Sequence, residues 1–383
     1  MRVISEDTGG LDIKRHADAR RRSIIRWALF ALFLLSLGVW TTYKTLGGYD
    51  PPVSNISANA IHGDWPMFQR DPSHSAYVTD PIPITNGHVR WQFETDAPIR
   101  SSPAVVQGTV YLGTGDRRVV ALKAETGELI WEREMTGPIN SSPAVAGGLV
   151  FISLRDGRFM ALNSANGKTH WEFPANYLIY SSPSVYQGVV YFGSGDGSLY
   201  ALDAMTGKKR WSYPTGGRFI SAPAVHENVV AMTSDGKRIY ILDANTGNRR
   251  LDVVTSHRSN MGGAPSLDKE LAYVANTHGD LTAVDWRKRE GPLEKTKNFI
   301  WIQLFVLGMV DSLPSPKGLV WGFQRSSESF IGSPAVDANM VYIAAESGAV
   351  YALNRSDGRL LWKFTSNYGI TGSPSIAGQT LYV

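Results

Sequence analysis

The 383-residue sequence contains no cysteine. That absence removes disulfides, thiolate metal sites and covalently attached c-type haem, and with them a lipoprotein acyl anchor, whose linkage needs a thiol. It does not argue against an extracytoplasmic location, because a chain of this length buries enough surface to fold without staples. Histidine is sparse, and His170, His226, His257 and His278 show no His-x-x-x-His or related metal spacing. The excess of one sign of charge is small too: the net charge is +4, partly in the N-terminal tail, and no arginine-rich or aromatic-interleaved stretch points to nucleic acid. Long hydrophobic runs are confined to 24–43 and 299–310.

What the chain has is a repeat. Ser101-Ser102-Pro103-Ala104-Val105 returns at Ser141, Ser181 and Ser221, a step of forty residues each time, with looser copies at Gly263–Ser266, Gly332–Val336 and Gly372–Ile376. A fixed period of this length means one supersecondary unit per repeat, stacked so that neighbours bury each other's apolar faces. From Ser141 onward, short β-rich runs alternate with Gly147-Gly148, Asp156-Gly157 and Asn166-Gly167, dipeptides that supply the positive φ of tight hairpin turns. Thr126-Gly127, Thr206-Gly207 and Thr246-Gly247 mark the later turn in other copies. The pattern predicts an all-β chain: a β-propeller of four-stranded antiparallel blades, seven repeats being visible in a seven- or eight-bladed ring. Trp91, Trp131, Trp171, Trp211 and Trp362 each stand twelve residues before a repeat proline, and Trp321 fills the slot late in the irregular fifth repeat. A ring repeated at one blade position is read as packing between blades, since a cofactor needs one site and not many. Leu251 takes the slot in the fourth repeat, so the slot demands bulk more than an indole.

Before the repeats, residues 1–22 are polar and read as a cytoplasmic tail. Residues 23–43 read as one transmembrane helix, Ile24–Tyr43 being long enough for a hydrocarbon core of ~30 Å. Residues 44–63, with Gly47, Gly48, Pro51 and Pro52, read as a linker, and 64–383 as the propeller. Arg20, Arg21, Arg22 and Arg26 precede the apolar run, which predicts a single-pass cell-membrane protein with a cytoplasmic N-terminus and an extracytoplasmic propeller. The fifth repeat carries an insertion at about 287–318, longer than ordinary connections. Within it, Phe299–Val310 is too short to cross a bilayer. It is expected to pack over a blade or close one end of the ring, a docking patch being the alternative. The chain stops at Val383, in the middle of a second strand, which reads as an incomplete C-terminus or as a ring closed by Val89–Glu94.

The succession of SSPAV, Val189–Gly193, Asp196-Gly197, Leu199–Asp203, Thr206-Gly207 and Trp211 resembles the PQQ-type β-propeller repeat over about Trp65–Val383. Asp64-Trp65-Pro66-Met67-Phe68-Gln69-Arg70-Asp71-Pro72-Ser73-His74 is similar to the motif with which many members of that superfamily begin. The resemblance implies fold but not activity, for the superfamily holds quinoprotein dehydrogenases and propellers without enzyme activity. In the dehydrogenases a quinone sits at the ring centre beside a metal ion, under two adjacent cysteines. Here there is no cysteine pair, and repeats close to forty residues leave few loops to build a lid. No catalytic, cofactor-binding or metal residue is assigned, and no cofactor is expected, PQQ itself staying open. The Asp of each Asp-Gly turn is explained by turn chemistry, and the repeated serines lack a local base and orienting acid.

Residues just before each repeat vary while their surroundings do not, and in a propeller they converge on the central opening. They are Arg100, Asn140, Tyr180, Ile220, Met261, Ile331 and Thr371, with Arg218 and Tyr368 beside them. This mixed set is the candidate for binding a peptide edge or a small anion. The expected function is a membrane-anchored protein-interaction or scaffold module, similar in repeat type to the propeller lipoprotein of the outer-membrane β-barrel assembly machinery. The alternatives are a PQQ-dependent dehydrogenase or cofactor sensor, and a cell-surface module recognising polysaccharide or peptide. The expected partners are a membrane, through the N-terminal helix, and an envelope protein, with no nucleic acid.

Overall fold

In the computed structural model the described residues are 51–61, 63–79, 88–219, 221–235, 238–254, 262–291, 293–312 and 315–383, with 29, 31, 32, 34 and 35 near the N-terminus. Each repeat forms one antiparallel sheet, because β-rich runs of two to six residues are joined by turns whose glycines take positive φ. Blade 2 is typical, with Ala144–Ala146, Leu149–Ser153, Arg158–Asn163 and Thr169–Pro174 paired in that order. Its second strand is wholly buried, whereas the fourth alternates between covered and open positions, as expected for an inner and an outer strand of a blade. Among the described residues six such four-stranded sheets are present, and a seventh has three strands: Ser375–Ala377, Thr380–Tyr382 and, parallel to the first of these, Tyr77–Val78. The stretch Val89–Glu94, one of the two alternatives for the end of the ring, is irregular.

Blades are joined through the tryptophan slot. The indole Nε1 of Trp91, Trp131, Trp171, Trp211 and Trp321 donates to a carbonyl of the next blade (Ala124, Ser164, Ala204, Ala244 and Arg355) at 2.8–3.0 Å. Each ring also covers that blade's late-turn glycine, namely Gly127, Gly167, Gly207, Gly247 and Gly358, at φ of 69–73°. A Cβ there would lie 2.5–2.7 Å from the indole. Glycine is therefore required twice, for the left-handed backbone and for the ring above it. In its own sheet each of the blade tryptophans Trp131, Trp171, Trp211, Trp321 and Trp362 faces an alanine, and a bulge follows at once. Leu251 instead faces Ile241 and rests over Gly318, so the slot accepts bulk of either kind. Trp131, Trp171 and Trp321 are buried and Trp91 and Trp211 half-buried, while Trp362 is 40 % exposed.

The repeated serines have structural work of their own. The first serine of the pair turns inward: Ser101 and Ser141 donate to Gly113 O and Ser153 O of the second strand in their own blade. The second accepts from the preceding blade, Ser102 N–H reaching Ser142 Oγ and Ser142 N–H reaching Ser182 Oγ, both at 2.9 Å. These bonds satisfy buried backbone groups that the short innermost strands leave unpaired.

The innermost strands also present a free edge toward the axis, and the segment Trp65–Val78 covers it. Val105, Val145, Val225, Leu267, Val336 and Ile376, one from each of six blades, donate their N–H groups to Trp65, Pro66, Pro72, Ser73, Ser75 and Ala76 carbonyls at 2.5–3.0 Å. The remaining blade is served by Ala58, whose N–H reaches Val185 O at 3.0 Å. To face one blade after another the backbone takes left-handed conformations at Gln69, Arg70, His74 and Ala76, each costing roughly 1–2 kcal/mol for a residue with a Cβ. His74 is fully buried in this segment. Its ring lies 2.9 Å from Pro265 O and 3.3 Å from Ser184 Oγ, edge-on to Phe68.

Two expectations are corrected. The transmembrane anchor and the single-pass cell-membrane location that followed from it are not carried forward. Among the described residues no helix is long and apolar enough to cross a membrane, and only Leu29, Ala31, Leu32, Leu34 and Leu35 of that stretch are described, as helical. The rest of 23–43 lies outside the described residues. The second correction concerns 299–310, which does not pack down onto the blades. The insertion forms helix α1 (Glu294–Val306), fixed at its base by Lys317–Glu294 at 2.8 Å, Arg249–Glu290 at 3.4 Å and Glu290 N–H on Arg250 O. Beyond that polar base a cleft of about 480 Å³ separates Phe299 and Ile302 from Asp252–Val254 of blade 4, so the apolar side chains are left uncovered. The segment 52–58, by contrast, is not free chain: Val53 N–H bonds Asp203, and Ile56 seats over Gly147.

Trp171→Ala is expected to lower stability by about 3–5 kcal/mol, the range for emptying a large aromatic site, read as a fall in chemical-denaturation midpoint. Burial holds the His74 ring well below its ordinary value, at about 4, so the fold favours the neutral ring. This contribution is complete above the unfolded value near 6.5 and is lost as pH falls toward 4. Burial raises the Asp71 carboxyl, which works in the opposite sense. Wild-type protein should lose about 2 kcal/mol between pH 7 and pH 5 through His74, and His74→Gln should flatten that slope in urea titrations.

Candidate functional site

The sequence-derived set lies where the innermost strands begin. Arg100, Asn140 and Tyr180 precede the strands of blades 1, 2 and 3, whose order brings them side by side; Arg100 is exposed and the other two are half-buried. Arg155 stacks over Tyr180, with its guanidinium carbon 5.3 Å from the ring centroid, and reaches the phenol oxygen at 3.5 Å. Arg218 pairs with Asp235 at 2.9 Å, which raises its already high pKa, and the phenols of Tyr177 and Tyr180 lie within electrostatic reach of it. Tyr368, ahead of blade 7, is 82 % exposed. Met261 and Ile220 lie outside the described residues. This end of the ring thus offers aromatic and guanidinium groups in neighbouring blades, a composition that suits peptide contact.

At the opposite ends of the same strands there is a cavity of about 710 Å³. Its floor is the axial segment (Asp71, Pro72, Ser73, Ser75), and its walls are the turns after the innermost strands of blades 3–6, including His226, Asp268 and Asp337, with Arg355 alongside. The sequence reading missed it. A signal was present: these turns are Gln107-Gly108, Gly147-Gly148 and Gln187-Gly188 in the first three blades, but Glu227-Asn228, Lys269-Glu270 and Ala338-Asn339 in the next three.

Most of the cavity's charged groups are already engaged. Asp268 accepts from Arg355 at 2.9 Å and from the Tyr273 phenol at 2.6 Å, and Asp337 accepts from Tyr342 at 2.9 Å. Burial first, and then the adjacent carboxylates, push both phenols above their ordinary range, so they remain donors. Ser73 Oγ lies 3.0 Å from His226 Nδ1, but it also bonds Val225 O, and Glu227 approaches the ring only to 4.0 Å. Among the described residues no orienting acid completes a nucleophilic triad here. Among the described residues no group of three or more His, Cys, Asp or Glu side chains could hold a metal ion.

Residues 77–178, 178–290 and 309–383 match the family model described as outer membrane protein assembly factor BamB. No curated protein sequence matches significantly. Among solved structures, BamB from Moraxella catarrhalis superposes with a TM-score of 0.60 at 18 % identity, covering 77 % of this chain and 83 % of that one. The quinohemoprotein alcohol dehydrogenase of Comamonas testosteroni gives 0.55 at 15 % identity over 82 % and 75 %. The quinohemoprotein alcohol dehydrogenase ADHIIG of Pseudomonas putida HK5 gives 0.53 at 16 % identity over 83 % and 76 %. At such identities the structural likeness carries the fold, which both kinds of protein share. With the match to the family model running across most of the blades, the chain belongs to the PQQ-like β-propeller family of the outer membrane protein assembly factor BamB.

Proposed function

We propose that this protein is an interaction propeller working in outer-membrane protein assembly, as the description of its family model names, and that it contacts protein partners through the end of the ring that carries Arg100, Tyr180, Arg218 and Tyr368. The observation that carries the reading is the pairing of an axis filled by the chain's own backbone with a rim of open aromatic and guanidinium groups. Tyr and Arg are the residues most enriched at interface hot spots. A dehydrogenase reading has only the shared fold behind it, and fold does not fix chemistry.

Two measurements test the proposal. With a photo-crosslinking residue replacing Tyr368 or Arg218 in the native host, the expected adducts are with proteins of outer-membrane protein assembly, while the same group at Glu125 on the opposite end gives none. Equal adducts from all three positions, or none, would contradict it. Titration of the full chain with PQQ and calcium is expected to leave the quinone spectrum unchanged; stoichiometric binding with dye reduction by an alcohol would replace the interaction reading with the dehydrogenase one.

A further inference from the structure

From Phe299 onward helix α1 is apolar on every side, Gln303 being its one polar residue. Successive residues of a helix lie 100° apart, so Phe299, Ile300, Trp301 and Ile302 between them occupy every side. They are 63 %, 53 %, 39 % and 41 % exposed. A helix that docks in a protein groove keeps one polar face for solvent, and α1 has none over this stretch. Polarity is instead graded along the insertion. Its base, residues 287–297, reads RKREGPLEKTK, five basic residues against two acidic, and Lys288, Arg289 and Lys297 are exposed. The tip, Phe305–Val310, carries no charge, and Val306, Leu307 and Met309 are each about 70 % exposed (72 %, 70 % and 68 %). The chain then doubles back, Trp301 Nε1 donating to Ser312 O at 3.0 Å, which returns the polar Asp311-Ser312 pair toward the level of Trp301.

We infer that the insertion is a lipid-docking element, its tip entering the acyl layer of one leaflet and its basic base resting among anionic headgroups. Charge order selects this occupant. A bilayer surface is negative at the headgroups and apolar below, the same sequence met along the insertion from base to tip, and each basic residue near it contributes several-fold to partitioning. Thirteen helical residues extend about 20 Å, too short to span and long enough to reach past the headgroups. This association is independent of the N-terminal stretch and of the protein-contacting rim.

The absence of native cysteine gives a local test. A single cysteine at Ile300→Cys in the full chain, labelled with an environment-sensitive fluorophore, reports on α1 alone, and Glu125→Cys on blade 1 serves as control. With vesicles of phosphatidylglycerol and phosphatidylcholine the expected result is a blue shift at 300 and none at 125. The shift should be quenched by acyl-chain spin labels, and lost in high salt or in the Lys288→Glu, Arg289→Glu, Lys297→Glu triple variant. An unshifted probe at 300 while the protein floats with the vesicles would overturn the inference, since binding would then lie elsewhere. So would an equal shift with pure phosphatidylcholine. A shift without vesicles that grows with protein concentration would assign α1 to a second copy of the chain instead.

Discussion

An indole laid over a glycine, repeated from blade to blade, is the contact on which this architecture depends. A four-stranded blade cannot bury both its faces alone, and its neighbour must be held at a fixed offset for the apolar layers between them to close. The Trp Nε1–carbonyl bond sets that offset to a single backbone atom, and the glycine beneath allows the ring to come down to contact. The alanine opposite each blade tryptophan and the bulge beside it belong to the same device: a small residue makes room and a local twist aims the ring at the next turn. Where Leu251 replaces the indole the hydrogen bond is gone but Gly318 persists beneath it, so the packing outlasts the hydrogen bond there.

The second constraint acts from the axis. Innermost strands of two or three residues would leave backbone donors unpaired at the ring centre, and edges of that kind invite foreign strands. The segment Trp65–Val78 answers six blades with main-chain carbonyls, so no particular side chain is needed on the strand it meets. Its left-handed residues and its neutral, buried His74 are the cost of following a polygonal path through a buried interior. With the axis filled in this way the two ends of the ring differ, one with an open aromatic rim and the other with a largely self-satisfied cavity.

How much of this was legible in the sequence depended on whether a side chain or the backbone carried the information. The forty-residue step, the hairpin dipeptides and the tryptophan slot are side-chain patterns, and they gave the propeller, its blade strands and the packing role of Trp171 and Leu251. The late-turn glycines were readable as turn residues, but their second role, admitting an indole, belongs to a neighbour about 36 residues away and leaves no local mark. The axial segment bonds through carbonyls and was therefore invisible except as a motif shared with a family. The cavity left no comparable mark, because the positions that vary against the repeat stand before the innermost strands, whereas His226, Asp268 and Asp337 stand at or just after their far ends. The run 299–310 was expected to pack over a blade, but burial depends on what stands nearby, and above the insertion's polar base its side chains are left uncovered beside blade 4. The anchor expectation rested on length and flanking arginines, and the described residues do not support it.

The most direct test of the indole-over-glycine account compares two glycines of like backbone. Gly207 and Gly148 have φ of 70° and 75°, but only Gly207 lies beneath a ring; nothing stands within 4 Å of a Cβ at Gly148. Alanine at either position carries the same left-handed penalty of about 1 kcal/mol. Chemical denaturation should therefore show Gly207→Ala to be the more destabilising by a clear margin, with the excess vanishing when Trp171 is also replaced by alanine. Equal losses at the two glycines, or an excess at Gly207 that survives removal of Trp171, would contradict the account.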